Sequence, residues 1–282
     1  IEVSYLEGPC ARIISGCTDE SVKLVSWIHI EQHTTKRAIA SFRNQNEAMT
    51  CYKRFHKIIS VSKTVEMDFQ KVLNVVGSYQ VLYNTNESKK IRKLSDENIT
   101  VDMDKEDTVN IIGVGKLLKS KGFDRVLRIT KQLIAENYSV HTYILGEGPE
   151  KEDLQNYIEN NGMKKNVTLL GYQINPYKYI SKCDLFVCAS YAEGFSTAAT
   201  EALILGVPVC TVEVSGMKEM LGENNEYGIV TENNDEALYQ GIKELINNSE
   251  KLQHYKQQAI IRGKSFSTER TVREVEKMLL SL

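Results

Sequence analysis

Two glutamates eight positions apart, Glu193 and Glu201, are the residues whose type and spacing most clearly suggest chemistry. Eight residues are just over two α-helical turns, so acids at the mouth and on the second turn of one helix face the same side. Residues 194–197 open a helix-like segment, and the free N–H groups and dipole of a helix N-terminus form an anion site. Carboxylates that accept hydroxyl hydrogen bonds beside an anion site suit a phosphorylated sugar.

The sequence supports a functional role more strongly for Glu201 than for Glu193. Each acid alone is more simply an exposed loop or surface-helix residue. Glu201, however, lies within an apolar helix-like segment, residues 198–205, which we expect to be buried on most faces. Buried carboxylates are rare unless they are paired or bind a ligand, which favours a functional role for Glu201.

A second charged segment, residues 113–123, places Lys116, Lys119 and Lys121 in a loop between a strand and a helix. Cations in such a loop can neutralise a diphosphate without a metal ion. Taken alone, the simpler interpretation is a solvated loop. The segment is not a P-loop of the Walker type, because the pattern GxxxxGK[ST] is absent.

Alternating strands and helices must position these residues. Apolar runs separated by helical or polar stretches occur at 23–30, 57–61, 79–84, 108–114, 140–145, 167–170, 184–188 and 207–212. Such alternation predicts α/β layering, and residues 183–216 follow the strand, helix, strand order of a βαβ unit. Ligands of open parallel sheets bind at the carboxyl ends of the strands, where both charged segments fall.

Chain length, net charge and cysteine content narrow the possible classes of protein. A chain of 282 residues predicts two domains, and a net charge of −2 argues against a nucleic-acid binder. No apolar run approaches the roughly 18–20 residues of a membrane span, and no signal peptide is visible. The six cysteines form no CxxC pair and are most simply reduced core residues of a cytosolic protein. The start at Ile1, without Met, indicates a piece of a longer protein.

Several segments together resemble the C-terminal domain of retaining GT-B glycosyltransferases of family four (glycosyl transferases group 1). They are GVGKLLKSKGFDRVL, YILGEGPEKEDL, VTLLGYQINPYKYISKCDLFVCAS and YAEGFSTAATEALILGVPV, in this order within residues 108–265. The acid pair in its EGF and EALxxGxPV context is highly specific. A weaker similarity at 27–29, 59–62 and 81–84 matches the second half of the family's N-terminal acceptor domain.

The resemblance implies an α/β protein of the GT-B type, with two Rossmann-like domains built on parallel sheets. The N-terminal domain is expected to be incomplete, because the family's glycine-rich first loop and opening strands have no counterpart here. We expect residues 1–106 to form a partial acceptor-side domain with a charged linker over 88–107. Residues 107–265 are expected to bind the nucleotide-sugar, and 266–282 to form a helix that packs back toward the N-terminal domain.

The resemblance also implies roles for residues of the donor site. Lys116, where the family usually has Arg, and Lys121 would hold the donor diphosphate. Lysine offers a point charge instead of a bidentate fork, so the phosphate geometry would be looser. Glu201 would bond the ribose hydroxyls of the nucleotide, and Tyr172 would lie beside the base.

A further set of residues would contact the transferred sugar. Glu193, together with the backbone N–H groups around Gly194, Phe195, Ser196 and Thr197, would hold the donor sugar and phosphate. His29 would reach the donor sugar from the opposite domain. His29 and Glu193 are therefore the predicted catalytic residues, with Glu193 as a sugar ligand and not a nucleophile, since no carboxylate pair of the glycosidase kind is evident.

The implied reaction is transfer of a sugar, with retention at the anomeric carbon, from a nucleotide diphosphate sugar. UDP is the family-level expectation for the nucleotide. The acceptor would be a glycan or a lipid-linked molecule in polysaccharide or cell-envelope synthesis. We expect no obligatory metal ion or cofactor, because no Asp-x-Asp stands at a strand end and Asp102 and Asp104 lie in the linker.

Two other functions stay open. A GT-B nucleotide-sugar epimerase shares the architecture, although it is not expected to carry the EGF and EALxxGxPV signature. A non-catalytic nucleotide-sugar-binding subunit, which needs a partner for activity, is the alternative from a different class. A scaffold without any ligand would require the acid pair and the lysine loop to be coincidental.

Residues 36–57 carry six Lys or Arg against one acid, Glu47, with Phe42, Tyr52 and Phe55 interleaved. A solvated basic helix is the default interpretation. The sharper hypothesis is a peripheral contact with an anionic acceptor or membrane surface, which would put a cytoplasmic protein at the inner face of the membrane.

Overall fold

A computed structural model describes residues 1–99, 101, 103, 107–192 and 195–282. The chain divides into two compact units. Unit 1 comprises Ile1–Thr85 and Glu269–Leu282, and unit 2 comprises Asn86–Thr268. The boundary between them therefore lies earlier in the chain than the predicted boundary after residue 106.

Unit 1 is built on a parallel sheet of four strands, in the order β1-β2-β3-β4, within the residues described for it. The strands are β1 (Glu2–Ser4), β2 (Leu24–Ile28), β3 (Lys57–Ser60) and β4 (Tyr79–Val81). Its helices before residue 85 are α1 (Pro9–Ile14), α2 (Thr35–Ala38), α3 (Gln45–Lys53) and α4 (Lys63–Leu73). All five residues of β2 are buried, as is typical of a parallel strand covered on both faces.

Unit 2 contains, among the described residues, a parallel sheet of six strands in the order β10-β9-β8-β5-β6-β7. They are β5 (Val109–Val114), β6 (Val140–Leu145), β7 (Val167–Gly171), β8 (Leu185–Cys188), β9 (Val209–Val212) and β10 (Ile229–Thr231). Strand β5 pairs with β6 on one side and β8 on the other, so the order of connection reverses there. Such a reversal opens a crevice at the carboxyl ends of the strands.

Eight α-helices of the described chain lie within unit 2, and their amphipathic faces cover the sheet. They are α5 (Ser88–Ser95), α6 (Phe123–Ala135), α7 (Lys151–Asn160), α8 (Tyr177–Ile180), α9 (Thr197–Ile204), α10 (Met217–Leu221), α11 (Asp235–Asn247) and α12 (Ser249–Gly263). Helices α6 and α11 bury Val126, Ile129, Leu238 and Ile242 in one apolar core with the strands. A last helix, α13 (Thr268–Leu280), begins at the end of unit 2.

The first part of the segment predicted as a linker, residues 88–107, is a helix. Helix α5 buries Ile91, which is 2% exposed, and contacts α8 and α9. Its four cations stay on the exposed side. The prediction of a linker was wrong here. A short helix needs only a narrow apolar stripe, and the composition of such a charged segment does not reveal that stripe.

The basic segment 36–57 does not present its aromatic rings to solvent. Phe42, Tyr52 and Phe55 are buried in unit 1. Arg54 donates to the backbone carbonyls of Ser15 and Cys17, at 2.7 Å each. Exposed cations alone are therefore left for the predicted contact with an anionic surface, which stays a prediction. In the described parts of the chain, no helix combines the length and the apolar character that crossing a bilayer requires.

Candidate functional site

Two adjoining cavities lie at the carboxyl ends of the unit 2 strands. The larger cavity, of about 560 Å³, is lined by Val114, Gly115, Lys116, Leu145, Gly146, Glu147, Tyr172, Gln173, Ile174, Pro176 and Tyr177. The smaller cavity, of about 250 Å³, is lined by Val114, Gly115, Lys116, Lys121, Phe123, Phe186, Val187, Cys188, Ala189, Ser190, Phe195, Ser196, Thr197 and Ala198. The loop after β5 is common to both, so Lys116 stands where they meet.

The loop after β6 holds the loop after β5 in place. The Gly115 N–H donates to the Leu145 carbonyl at 3.0 Å, and the Leu117 N–H donates to the Glu147 carbonyl at 2.9 Å. A Cβ added to Gly146 would lie 1.8 Å from the Gly115 carbonyl oxygen, and one added to Gly148 would lie 2.4 Å from that of Leu117. The glycines of the GEG sequence therefore permit backbone contact that fixes the position of Lys116.

The three lysines of the loop after β5 differ in their surroundings. Lys119 pairs with Asp124 at 2.9 Å, and this bond raises the pKa of Lys119. Lys121 lines the smaller cavity, and Lys116 lines both cavities. The two lysines predicted to meet a diphosphate, Lys116 and Lys121, thus both line a cavity.

The start of α9 forms one wall of the smaller cavity. Ser196 is the N-cap, and its hydroxyl accepts a hydrogen bond from the Ala199 N–H at 3.3 Å. Phe195, 7% exposed, places its ring 5.8 Å from that of Phe266, which anchors the chain before the helix. The first N–H groups of an α-helix have no intrahelical acceptor, so this wall attracts anions.

Glu201 lies on the second turn of α9, and its Oε1 accepts a hydrogen bond from the Tyr177 hydroxyl at 3.1 Å. Burial raises the pKa of Glu201, while the bond from Tyr177 acts in the opposite direction. Burial, followed by the charge of Glu201, raises the pKa of Tyr177 to about 12. Because Tyr177 also lines the larger cavity, it links that cavity to Glu201.

Tyr172 and Ile174 lie in the loop between β7 and α8 at the rim of the larger cavity. Tyr172 is 72% exposed and Ile174 is 90% exposed, which is unusual for side chains of this size. Both therefore present apolar surface on which a flat ring can stack.

The structure brings most of the predicted donor-site residues of unit 2 to these cavities. Lys116, Lys121, Tyr172, Phe195, Ser196 and Thr197 line them. Glu201 adjoins the larger cavity through Tyr177. Glu193 and Gly194, like Asp102 and Asp104 of the predicted linker, lie outside the described residues.

His29 lies in unit 1, directly after β2. Its backbone N–H donates to Glu7 Oε2 at 3.0 Å, and its ring meets Tyr5 edge-on at 4.8 Å. Its Nε2 is buried without a hydrogen-bond partner among the described residues. The predicted contact of His29 with a donor sugar stays a prediction.

A network around Arg125, which no sequence motif indicates, supports the smaller cavity. The Arg125 guanidinium bonds Asp235 at 2.9 Å and the Ala189 carbonyl at 3.3 Å, and lies 4.0 Å from the centre of the Tyr191 ring. The Tyr191 N–H donates to the Ser120 carbonyl at 2.8 Å. The network thereby joins the lysine loop to the residues that follow β8.

A sequence profile of the family glycosyl transferases group 1 matches residues 95–262, more than half of the chain. The chain belongs to that family. The recognition made from the sequence motifs is therefore confirmed.

Two curated relatives of this chain carry the names of glycosyltransferases. One is the N-acetylgalactosamine-N,N'-diacetylbacillosaminyl-diphospho-undecaprenol 4-alpha-N-acetylgalactosaminyltransferase of Campylobacter jejuni, 34% identical over 203 residues, which cover 71% of this chain and 53% of the relative. The other is the capsular polysaccharide biosynthesis glycosyltransferase CapM of Staphylococcus aureus, 29% identical over 137 residues, which cover 48% of this chain and 36% of the relative. The chain thus spans only part of the length of these relatives.

Among solved structures, Anabaena HepE in complex with UDP is similar to this group 1 chain with a TM-score of 0.78. The match covers 93% of this chain and 73% of HepE at 20% sequence identity. A structural similarity at this level of sequence identity shows the fold alone. The predicted fold class, an α/β protein of the GT-B type with two parallel sheets, is confirmed.

Proposed function

We propose that this chain carries the donor site of a retaining glycosyltransferase. The enzyme transfers a sugar from a UDP-sugar to a glycan or a lipid-linked acceptor in polysaccharide or cell-envelope synthesis. The observation that carries the proposal is the pair of adjoining cavities that share Lys116, one with an aromatic rim and one bounded by the start of α9.

The larger cavity receives the nucleoside in this proposal. Its volume lies within the range of about 300–1,000 Å³ that small-molecule sites occupy. Tyr172 offers its exposed ring to the base. Glu201 accepts hydrogen bonds from the ribose hydroxyls, because an ionised carboxylate is an acceptor only.

The smaller cavity receives the diphosphate. Lys116 and Lys121 supply two positive charges at its wall, and the N-terminus of α9 adds the positive end of a helix dipole. As the bond between the sugar and the diphosphate breaks, negative charge grows on the departing phosphate oxygens. Fixed positive groups at that place lower the barrier, because they need no reorganisation during the reaction.

Glu193 and Gly194 come shortly before α9 in the sequence. We propose that they contact the donor sugar. His29 of unit 1 is proposed to approach the same sugar. We propose no carboxylate nucleophile. The retaining transfer then depends on stabilising the departing diphosphate and the sugar cation together. No metal ion is required for this charge balance, because the lysines and the helix N-terminus supply it.

The names of similar proteins support the donor and acceptor classes. The Campylobacter jejuni relative is named for transfer to an undecaprenol-linked diphosphate, and CapM for capsular polysaccharide biosynthesis. HepE has been solved with UDP and with UDP-glucose. We therefore propose a UDP-sugar as the donor and a lipid-linked or polysaccharide acceptor, with action close to a membrane.

Calorimetric titration with UDP, GDP and ADP, with and without Mg²⁺, tests the proposal. We expect UDP to bind in both conditions, and Glu201→Gln to weaken UDP binding about 10- to 100-fold, since hydrogen bonds to a charged group contribute about 1.5–3 kcal/mol. Glu159→Gln, on the exposed surface of α7, is the matched control and should bind UDP like the wild type. An unchanged dissociation constant for Glu201→Gln would remove Glu201 from the site.

A further inference from the structure

We infer that Tyr177 is the positioning residue for ribose recognition, and that its hydroxyl makes the site select ribonucleotides over nucleotides that lack the 2′- and 3′-hydroxyls. This inference rests on the proposed function, because it names a residue that orients Glu201 toward the donor. Tyr177 is outside the set of residues that the sequence motifs identified. Its geometry, and not its sequence context, points to the role.

Tyr177 is held at a defined place by three helices. The Tyr177 N–H donates to Asn175 Oδ1 at 3.2 Å. The amide nitrogen of Asn175, a residue that is 9% exposed, donates to the Leu94 carbonyl at 2.8 Å and to Glu97 Oε2 at 3.0 Å. The start of α8 is therefore tied to the end of α5, while the Tyr177 hydroxyl reaches α9. Such an arrangement fixes the hydroxyl oxygen relative to Glu201.

The hydrogen bond from Tyr177 divides the two oxygens of Glu201 between different tasks. The Tyr177 hydroxyl donates to Oε1 at 3.1 Å. Oε2 and the remaining lone pairs can then accept from the vicinal hydroxyls of a ribose, which are donors in this contact. Without the tyrosine hydroxyl the carboxylate can rotate, and the pair of acceptor positions that matches a vicinal diol is lost.

The same hydrogen bond keeps Glu201 in the form that can accept. Burial disfavours the charged carboxylate, and a donor bonded to the charged form opposes that effect. A protonated Glu201 would donate with one oxygen and would leave one ribose hydroxyl without an acceptor. Tyr177 thus supports both the orientation and the charge that ribose binding needs, and it does so while lining the larger cavity.

The experiment compares UDP with 2′,3′-dideoxy-UDP, which keeps the base and the diphosphate. Dissociation constants are measured by calorimetry for the wild type, Tyr177→Phe and Glu201→Gln. We expect Tyr177→Phe to weaken UDP binding about tenfold, as for one hydrogen bond to a charged group. We expect the same substitution to leave the dissociation constant of 2′,3′-dideoxy-UDP unchanged, because that ligand makes no use of the oriented carboxylate.

Tyr179→Phe is the matched control. It removes a hydroxyl from the same short helix, but from a ring that is 3% exposed beside Lys178. Both ligands should bind this variant like the wild type. Thermal melts of all variants establish that the fold persists.

The outcomes separate the inference from the proposed function. Equal weakening of UDP and 2′,3′-dideoxy-UDP by Tyr177→Phe means a general disturbance of the cavity and overturns the inference. If Tyr177→Phe binds both ligands like the wild type, the inference is also overturned. In that case, weaker binding of UDP but not of 2′,3′-dideoxy-UDP by Glu201→Gln would still support the proposed donor site. If wild-type protein binds neither ligand, the proposed function itself fails. If Glu201→Gln binds UDP like the wild type, Glu201 lies outside the site and the inference on Tyr177 is overturned.

Discussion

Glu201 is an acid in a helix whose other side chains are mostly apolar and buried, and this placement affects stability as well as binding. Burial raises its pKa above the ordinary value of 4.5. The folded state therefore holds a proton more tightly than the unfolded chain does. Between the unfolded and the folded pKa the folded state binds more protons, so the free energy of unfolding decreases as the pH rises through that window.

We therefore predict that Glu201→Gln stabilises the protein near neutral pH. Glutamine has nearly the same shape, its amide oxygen can accept the Tyr177 hydroxyl, and it carries no charge to bury. The melting temperature should rise near pH 7, by about 2–4 °C for each 1 kcal/mol gained. The difference should decrease toward pH 4, because the wild-type carboxyl becomes protonated in both states as the pH falls below its ordinary pKa of 4.5.

Melting curves between pH 4 and pH 8 in the absence of nucleotide provide the measurement. Glu159→Gln is the control, because hydrogen bonds from Gln155 and Lys164 lower the pKa of Glu159 and its substitution should not stabilise. A wild type that melts above Glu201→Gln near pH 7 would contradict the prediction.

The two residues of the hydrogen-bonded pair also differ in how far sequence could reveal them. Glu201 was identified because its spacing from Glu193 and its apolar neighbours can be seen in the chain. Tyr177 lies 24 positions away, and no periodicity connects the two. Arg125 and Asp235, 110 positions apart, are a second example. Such pairs result from the packing of separate elements, which spacing within one element does not determine.

Most elements of unit 2 follow directly from the hydrophobic pattern. The sequence prediction for β6 (Val140–Leu145) agrees with the structure at both ends. Residues 194–197 are predicted to open a helix, and α9 begins at Thr197 with Ser196 as its N-cap. Helices α5 and α10 were missed, since they are short and α5 is rich in charge. Their stability comes from contacts with other elements, to which local patterns are insensitive.

Gly122, the N-cap of α6, lies against the backbone that follows β8. Gly122 has φ 68°, and a Cβ there would lie 2.0 Å from the Ala189 carbonyl oxygen. Gly162, after α7, has φ 67° and nothing within 4 Å of the added Cβ. Both substitutions to alanine incur the left-handed backbone penalty of about 1–2 kcal/mol. Gly122→Ala also forces two backbone segments apart, at a further cost of about 1–3 kcal/mol.

Denaturant unfolding of the two variants measures this difference. We expect Gly122→Ala to be the less stable variant, and to bind UDP more weakly than Gly162→Ala because Ala189 lines the smaller cavity. Equal destabilisation of the two would mean that the backbone contact between Gly122 and Ala189 has no energetic weight.

The chain passes between the two units twice, after Thr85 and after Thr268. The unit 2 residues at these crossings are joined. Asn86 and Ser267 form a parallel bridge, and the Thr268 hydroxyl donates to the Asn86 carbonyl at 2.6 Å. The α/β alternation predicted a parallel-sheet protein, but it did not locate this boundary. The helix α5 that follows it contains too few apolar residues to be distinguished from a linker by composition.

Because each unit has its own parallel sheet and buried residues, we predict that the protein unfolds in two calorimetric transitions. UDP should raise only the transition of unit 2, since a ligand stabilises the structure that binds it, by about 2.7 kcal/mol at a concentration of 100 times the dissociation constant. The isolated segment Asn86–Thr268 serves as the reference, and its transition should shift with UDP by the same amount. In Glu201→Gln the shift at that UDP concentration should be much smaller, because the ligand then fills less of the site. A single transition that moves as a whole with UDP would instead show that the two units unfold as one cooperative structure, and the residues around Asn86 and Thr268 would then be the first place to look for the coupling.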